Sequence, residues 1–106
     1  MSGWVDVGKA DEIALGQPVL VDVDGTSIAV IRLVDGFHAI EDICTHDGSH
    51  LTGGCIEGDQ IECPRHGARF SIRTGEALTA PAYEPTAVFP VRVVGGTVQV
   101  RDDRWD

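Results

Sequence analysis

Cys44-Thr45-His46 and, sixteen residues further on, Cys63-Pro64-Arg65-His66-Gly67 are the two stretches on which this chain turns. Each sets a soft thiolate and a borderline imidazole within one tight loop. Side by side at the ends of neighbouring strands, the loops would present two sulfurs and two nitrogens to one place. Donors of that softness select zinc or iron–sulfur over magnesium or calcium. Cys₂His₂ is a common structural zinc set, yet zinc sites usually pair like with like, as C-x₂₋₄-C and H-x₃₋₅-H. Here each loop holds one of each. That mixing suits a two-iron cluster in which each loop gives its cysteine to one iron and its histidine to the other. A zinc-stabilised binding module without a redox role stays open as the alternative.

Outside these loops the pattern is that of short strands. Residues 18–24 and 27–34 alternate and are rich in β-branched side chains, with Asp24-Gly25 where a hairpin turn belongs. A second Asp-Gly, Asp35-Gly36, leads into residues 37–43, so the three runs are expected to form a meander. Residues 44–58 lose the alternation and gather Gly48, Gly53, Gly54 and Gly58, which predicts a long functional loop with little regular structure. Short strands at 60–63 and 68–72 flank the second motif. Residues 78–90 contain Pro81, Pro85 and Pro90, which remove backbone donors and keep the segment out of central strands. Residues 91–94 and 97–101 around Gly95-Gly96 make a terminal hairpin. Only residues 9–15 suggest a helical turn or two, and there is no internal repeat or linker.

A chain of 106 residues is one domain with a single modest core, so a metal site would form a large share of its stability. Hydrophobic content of 42% with five prolines describes a globular protein, and thirteen glycines suit an all-β chain with many tight turns. Seventeen acidic against eight basic residues give a net charge of -9, which repels nucleic acid and anionic membranes and favours a basic protein partner. Residues 1–13 carry Asp6, Lys9, Asp11 and Glu12 and lack a signal-peptide pattern, and no apolar run approaches the roughly 18 residues of a membrane span. The expectation is a cytoplasmic protein, where thiols stay reduced and three cysteines mean ligation plus one spare. No G-x-G-x-x-G follows a strand, and only His38 and His50 remain beyond the motifs, too few for a 2-His-1-carboxylate iron site. No catalytic machinery is expected.

Cys44-Thr45-His46, Gly58-Asp59, Glu62-Cys63-Pro64-Arg65-His66-Gly67, Phe70, Thr74-Gly75, Pro81 and Pro90-Val91-Arg92-Val93 together resemble the Rieske ferredoxins of bacterial aromatic-ring-hydroxylating dioxygenases. The resemblance covers nearly the whole chain. It implies an all-β Rieske iron–sulfur fold in a single domain, residues 1–106. An antiparallel strand base would carry a small cluster-binding subdomain of two loops, about residues 43–82, capped by a loop around Pro81. It implies one [2Fe-2S] cluster, with Cys44 and Cys63 on the buried iron and His46 and His66 on the outer one. It further implies a monomeric one-electron carrier, not itself an enzyme, between a flavin-dependent ferredoxin reductase and a terminal oxygenase. The small Rieske subunit of an assimilatory nitrite reductase shares the fold and is the alternative.

Departures from the wider family bear on the potential. High-potential Rieske proteins of respiratory complexes carry a disulfide between the loops, at positions matching Ser49 and Arg65, and Ser and Tyr donors to sulfur where this chain has Ala68 and Phe70. Hydrogen bonds to sulfur stabilise the reduced cluster, so their loss predicts a value near the low end of the Rieske range, roughly -150 mV. Neutral imidazoles in place of two thiolates still hold it above the all-cysteine value of about -400 mV. Among the remaining residues, Cys55 is expected to be a small buried hydrophobe, His38 an exposed strand residue and His50 a surface-loop residue. Asp47 and Arg65 flank ligands and are either solvated or tune docking or imidazole acidity. Gly48 and Gly67 are expected to let backbone amides approach sulfur. Trp4 should pack on the base; Trp105 is left open.

Overall fold

The computed structural model describes residues 3–104; Trp105 lies outside them. In chain order the elements are β1 Val5–Lys9, a 3-10 turn Ala10–Glu12, β2 Val19–Val23, β3 Thr26–Leu33, β4 Gly36–Glu41, β5 Ile56–Glu57, β6 Gln60–Glu62, β7 Arg69–Ser71, β8 Val88–Phe89, β9 Val91–Val94 and β10 Thr97–Val100. They pair antiparallel in three sheets, ordered β2-β3-β4-β8, β1-β10-β9 and β5-β6-β7. The all-β expectation and the β2–β3–β4 meander are met. Among the described residues no helix is long and apolar enough to cross a membrane.

Local chemistry explains the hairpins. Val23 pairs with Thr26, so Asp24 and Gly25 alone make the turn, at φ 51° and 87°. Two successive left-handed residues are what a mirror-image two-residue hairpin turn requires, and Asp-Gly tolerates them best. The Asp22 carboxylate accepts the Gly25 amide at 3.0 Å and braces the turn.

Strand β3 organises the interior because it is buried on both faces. Ile28 and Val30 join Ile13, Val23, Ala39, Phe89, Val98 and Val100 on one side. Ala29, Ile31 and Leu33 join Ile40, Leu51, Ile61 and Phe70 on the other, together with Cys44 and Cys63. The single core expected from chain length is therefore divided in two by β3 and β4, and only one half touches the cysteines. Each fully buried Ile, Leu or Phe contributes about 1.5–3 kcal/mol of transfer free energy, so both halves matter to a small domain.

Two further expectations about elements are met, the helical turn and the edge placement of the proline segment, and two are corrected, at β1 and β5. Residues 9–15 yield only the 3-10 turn, whose N-terminal flank at Lys9 makes no side-chain capping bond. The strand β1 was not expected, since Gly8 interrupts its alternation; pairing with β10 creates it. The two-residue β5 arises inside the long 44–58 loop by pairing with β6. The proline segment contributes β8, which takes the outer edge beside β4, where proline neighbours are tolerated.

Candidate metal centre

Strands β4 and β6 each run into one of the two motifs, and the loops that follow fold alike. The Cys44 amide donates to the Ser49 carbonyl at 2.7 Å and the Gly48 amide to the Cys44 carbonyl at 2.7 Å. The Cys63 amide donates to Ala68 at 2.7 Å and the Gly67 amide to Cys63 at 3.0 Å. Gly48 and Gly67, each four residues past its cysteine, adopt φ of 78° and 76°, which closes the turn at no side-chain cost. Their amides bond the cysteine carbonyl and close the loop, and at Cys44 the closed loop brings backbone amides to sulfur, as expected. The amides directed at the Cys44 sulfur belong to His46 and Asp47. The shared C-x₃-G spacing was the available signal for this likeness.

Two polar side chains hold the first loop in place. Asp42, its side chain buried, accepts the amides of Leu51 at 2.9 Å and Thr52 at 2.8 Å on one oxygen, while the other lies 2.9 Å from His50 Nδ1. Thr45 Oγ1 donates to the Glu84 carbonyl at 2.6 Å and ties the loop to the segment that follows Pro81. Ala82, next to Pro81, is buried in the same apolar cluster as both cysteines. The segment that follows Pro81 thus packs against the first loop. Neither Asp42 nor Thr45 was singled out beforehand as a support.

The four donors differ by burial. Cys44 and Cys63 are 0% and 1% exposed, whereas His46 and His66 are exposed. The two imidazoles meet edge to face, with ring centroids 5.0 Å apart and planes at 87°. Their ligating atoms form two sets: the two sulfurs with an Asp47 oxygen, and the two imidazole nitrogens with an Asp47 oxygen, each set within 4.8 Å. A single tetrahedral zinc, with bonds of about 2.0–2.3 Å, would draw all four donors into one set. Separation by ligand type suits two irons, with sulfur inside and nitrogen outside.

Electrostatics at the sulfurs suit a bound cation. Burial pushes the Cys44 thiol up, and the neighbouring Cys63 sulfur pushes it further, against the His46 and Asp47 amides that favour the thiolate. Paired buried thiols of this kind ionise against a cationic centre. The donor set therefore fits a [2Fe-2S] group.

Asp47 spans the two loops. Its Oδ1 accepts the Ser49 amide at 3.0 Å, and its Oδ2 lies 3.4 Å from His66 Nδ1 and 3.6 Å from Arg65 Nε. The Ser49 hydrogen bonds, then Arg65 and His66, hold its carboxyl below the usual range. Cys55 is exposed, which corrects its expected burial. It ends the loop just before β5, where its carbonyl accepts the Glu62 amide at 2.9 Å. His38 is half-buried rather than exposed, with Nε2 3.0 Å from Asp35 Oδ1. His50 is exposed as expected, and Trp4 packs beneath the Arg92 guanidinium, 4.1 Å from its ring centroid.

An all-β module whose paired loops gather two buried thiols and two exposed imidazoles is built as an iron–sulfur protein of the two-iron kind. Residues 3–90 match the Rieske [2Fe-2S] domain, and the chain belongs to that family, which implies a single [2Fe-2S] cluster. It is 36% identical over 100 residues to the ferredoxin subunit of anthranilate 1,2-dioxygenase from Burkholderia cepacia, covering 94% of this chain and 93% of the relative. It superposes with a TM-score of 0.87 on a chain from a complex of reduced oxygenase and oxidized ferredoxin in carbazole 1,9a-dioxygenase, at 40% identity over 92% of this chain and 91% of that one. The ferredoxin of carbazole 1,9a-dioxygenase from Nocardioides aromaticivorans IC177 gives 0.86 at 34% identity, over 92% of this chain and 95% of that one. The resemblance read from the sequence is met.

Proposed function

We propose that Cys44, His46, Cys63 and His66 hold one [2Fe-2S] cluster in a subdomain of about residues 43–82. On this reading the chain carries single electrons from a flavin-dependent ferredoxin reductase to the terminal oxygenase of an aromatic-ring-hydroxylating system. The observation that carries this is the division of the donors into buried cysteines and exposed histidines. When bound, the cluster supplies reversible one-electron chemistry at a potential between those of all-cysteine clusters and high-potential Rieske centres.

The chain's own residues do the rest. Cys44 and Cys63 keep water from the sulfur side, while the His46 and Asp47 amides favour charge on sulfur. Buried Ala68 and Phe70 add apolar packing there without a hydroxyl. The exposed imidazoles of His46 and His66 offer a short path out to a docked protein. The charge of -9 speeds encounter with a basic dock. A cytoplasmic, reducing compartment agrees with one exposed thiol, Cys55, beyond the two ligand cysteines, and the reading takes the carrier as monomeric. Relatives named as dioxygenase ferredoxins at 34–36% identity weigh against the nitrite-reductase alternative.

Stopped-flow mixing of the dithionite-reduced protein with a carbazole 1,9a-dioxygenase type oxygenase tests the reading. Reoxidation of the carrier should be fast at low salt and slow as ionic strength rises. A protein without visible absorbance, and without an EPR signal after dithionite, would sink it.

A further inference from the structure

Asp47 belongs to the first ligand loop, yet its carboxylate faces Arg65 and His66 of the second. Its oxygens lie within 4.8 Å of both sulfurs and, on the other side, of both imidazole nitrogens. No other acidic side chain among the described residues falls within either donor set. The side chain is pinned by the Ser49 amide at 3.0 Å, so its charge is fixed in position. The side chain of this exposed residue is itself 22% exposed, against 67% for that of Arg65, whose guanidinium is its cationic neighbour across the loops.

We infer that Asp47 is a fixed-charge residue that lowers the reduction potential of the centre, with Arg65 as a weaker counter-charge. This rests on the four-residue ligand set proposed above. Reduction adds one electron and one unit of negative charge beside the Asp47 carboxylate, while no bond forms or breaks in the protein. Because Asp47 is less exposed than Arg65, water screens the repulsive charge less than the attractive one, and the repulsion prevails. Unit charges about 5 Å apart shift an equilibrium roughly tenfold even at an effective dielectric constant near 50. The ion pair adds little to stability, since the Arg65 guanidinium stands in water and its attraction is screened. Its effect therefore belongs to the potential.

Asp47→Asn removes the charge and keeps an oxygen for the Ser49 amide. In an EPR-monitored dithionite titration of the purified, cluster-loaded protein, Asp47→Asn should raise the ratio of reduced to oxidised protein about tenfold at a given potential, equivalent to about 59 mV for one electron. Asp47→Glu, which keeps the charge, should stay near wild type. Arg65→Gln should shift the potential down by less than tenfold. A loaded Asp47→Asn protein with an unchanged or lower potential overturns the inference. Should Asp47→Asn fail to load, Arg65→Gln decides: a lower potential supports the inference, and an unchanged or higher one overturns it. A colourless wild-type protein would instead overturn the ligand set itself.

Discussion

A β carbon on Gly54 would stand 1.6 Å from the carbonyl oxygen of Glu62 and 2.8 Å from its carbonyl carbon. The end of the first ligand loop thus lies against the backbone that leads into Cys63, and only a residue without a side chain fits between them. The Gly54 amide bonds Leu51 at 3.1 Å and the Glu62 amide bonds Cys55 at 2.9 Å, so neither strand of this contact is free to retreat. Gly54→Ala must push the loops apart. It should cost about 1–3 kcal/mol or more in denaturant unfolding and lower the iron bound per chain, since overpacking against backbone relaxes poorly. Gly53→Ala is the control, because its β carbon meets nothing within 4 Å and only its φ of 101° is strained. Equal loss of iron in both variants would contradict the spacing argument.

Asp42→Ala should be among the most destabilising single changes in the first loop. It strips the acceptor from the Leu51 and Thr52 amides, and Leu51 is fully buried. An unsatisfied buried amide costs about 1–3 kcal/mol. Asp42→Asn retains one oxygen acceptor and should lose less. Urea unfolding of the loaded protein checks the order wild type, Asn, Ala; an Ala variant as stable as wild type would show that the loop draws its order from elsewhere.

The meander β2–β3–β4 and the β9–β10 hairpin were legible because alternation and glycine turns are local signals. Strands β1, β5 and β8 were not, since their short runs become strands only by pairing with distant partners. The same divide runs through the site. Cys44, His46, Cys63 and His66 stood out by residue type and spacing. Asp42, the Thr45–Glu84 bond across 39 residues and the Asp47–Arg65 approach depend on which loops meet in space. Cys55 was expected inside because free thiols usually bury. Its position at the exposed end of the loop before the two-residue β5 overrode that tendency.

Acid should weaken the fold partly through Asp35. The hydrogen bond with His38, foremost, and the Arg73 guanidinium hold its carboxyl below the usual range. A depressed folded value means stability that is present above the unfolded pKa and is lost as pH falls through the folded one. The carboxylate is exposed, so the contribution is small. Asp35→Asn should leave the unfolding midpoint less dependent on pH in the acidic range, with the difference from wild type closing at the lowest pH. Parallel pH slopes for the two proteins would contradict this role.

The missing hydroxyls at Ala68 and Phe70 supply the last test. Both side chains are fully buried in the cluster of residues that holds Cys44 and Cys63, and the Ala68 carbonyl accepts the Cys63 amide at 2.7 Å. A serine hydroxyl at 68 therefore starts within one loop of the Cys63 sulfur. Ala68→Ser with Phe70→Tyr should raise the midpoint potential by tens of millivolts, from roughly -150 mV toward the higher part of the Rieske range. Stability separates a bonded hydroxyl from a merely buried one. A buried hydroxyl without a partner costs about 1–3 kcal/mol, whereas one donating to sulfur leaves unfolding near wild type. A raised potential with unchanged stability is the expected pair of results. A potential at or below wild type would contradict the assignment of this chain to the low-potential branch on the strength of these two positions.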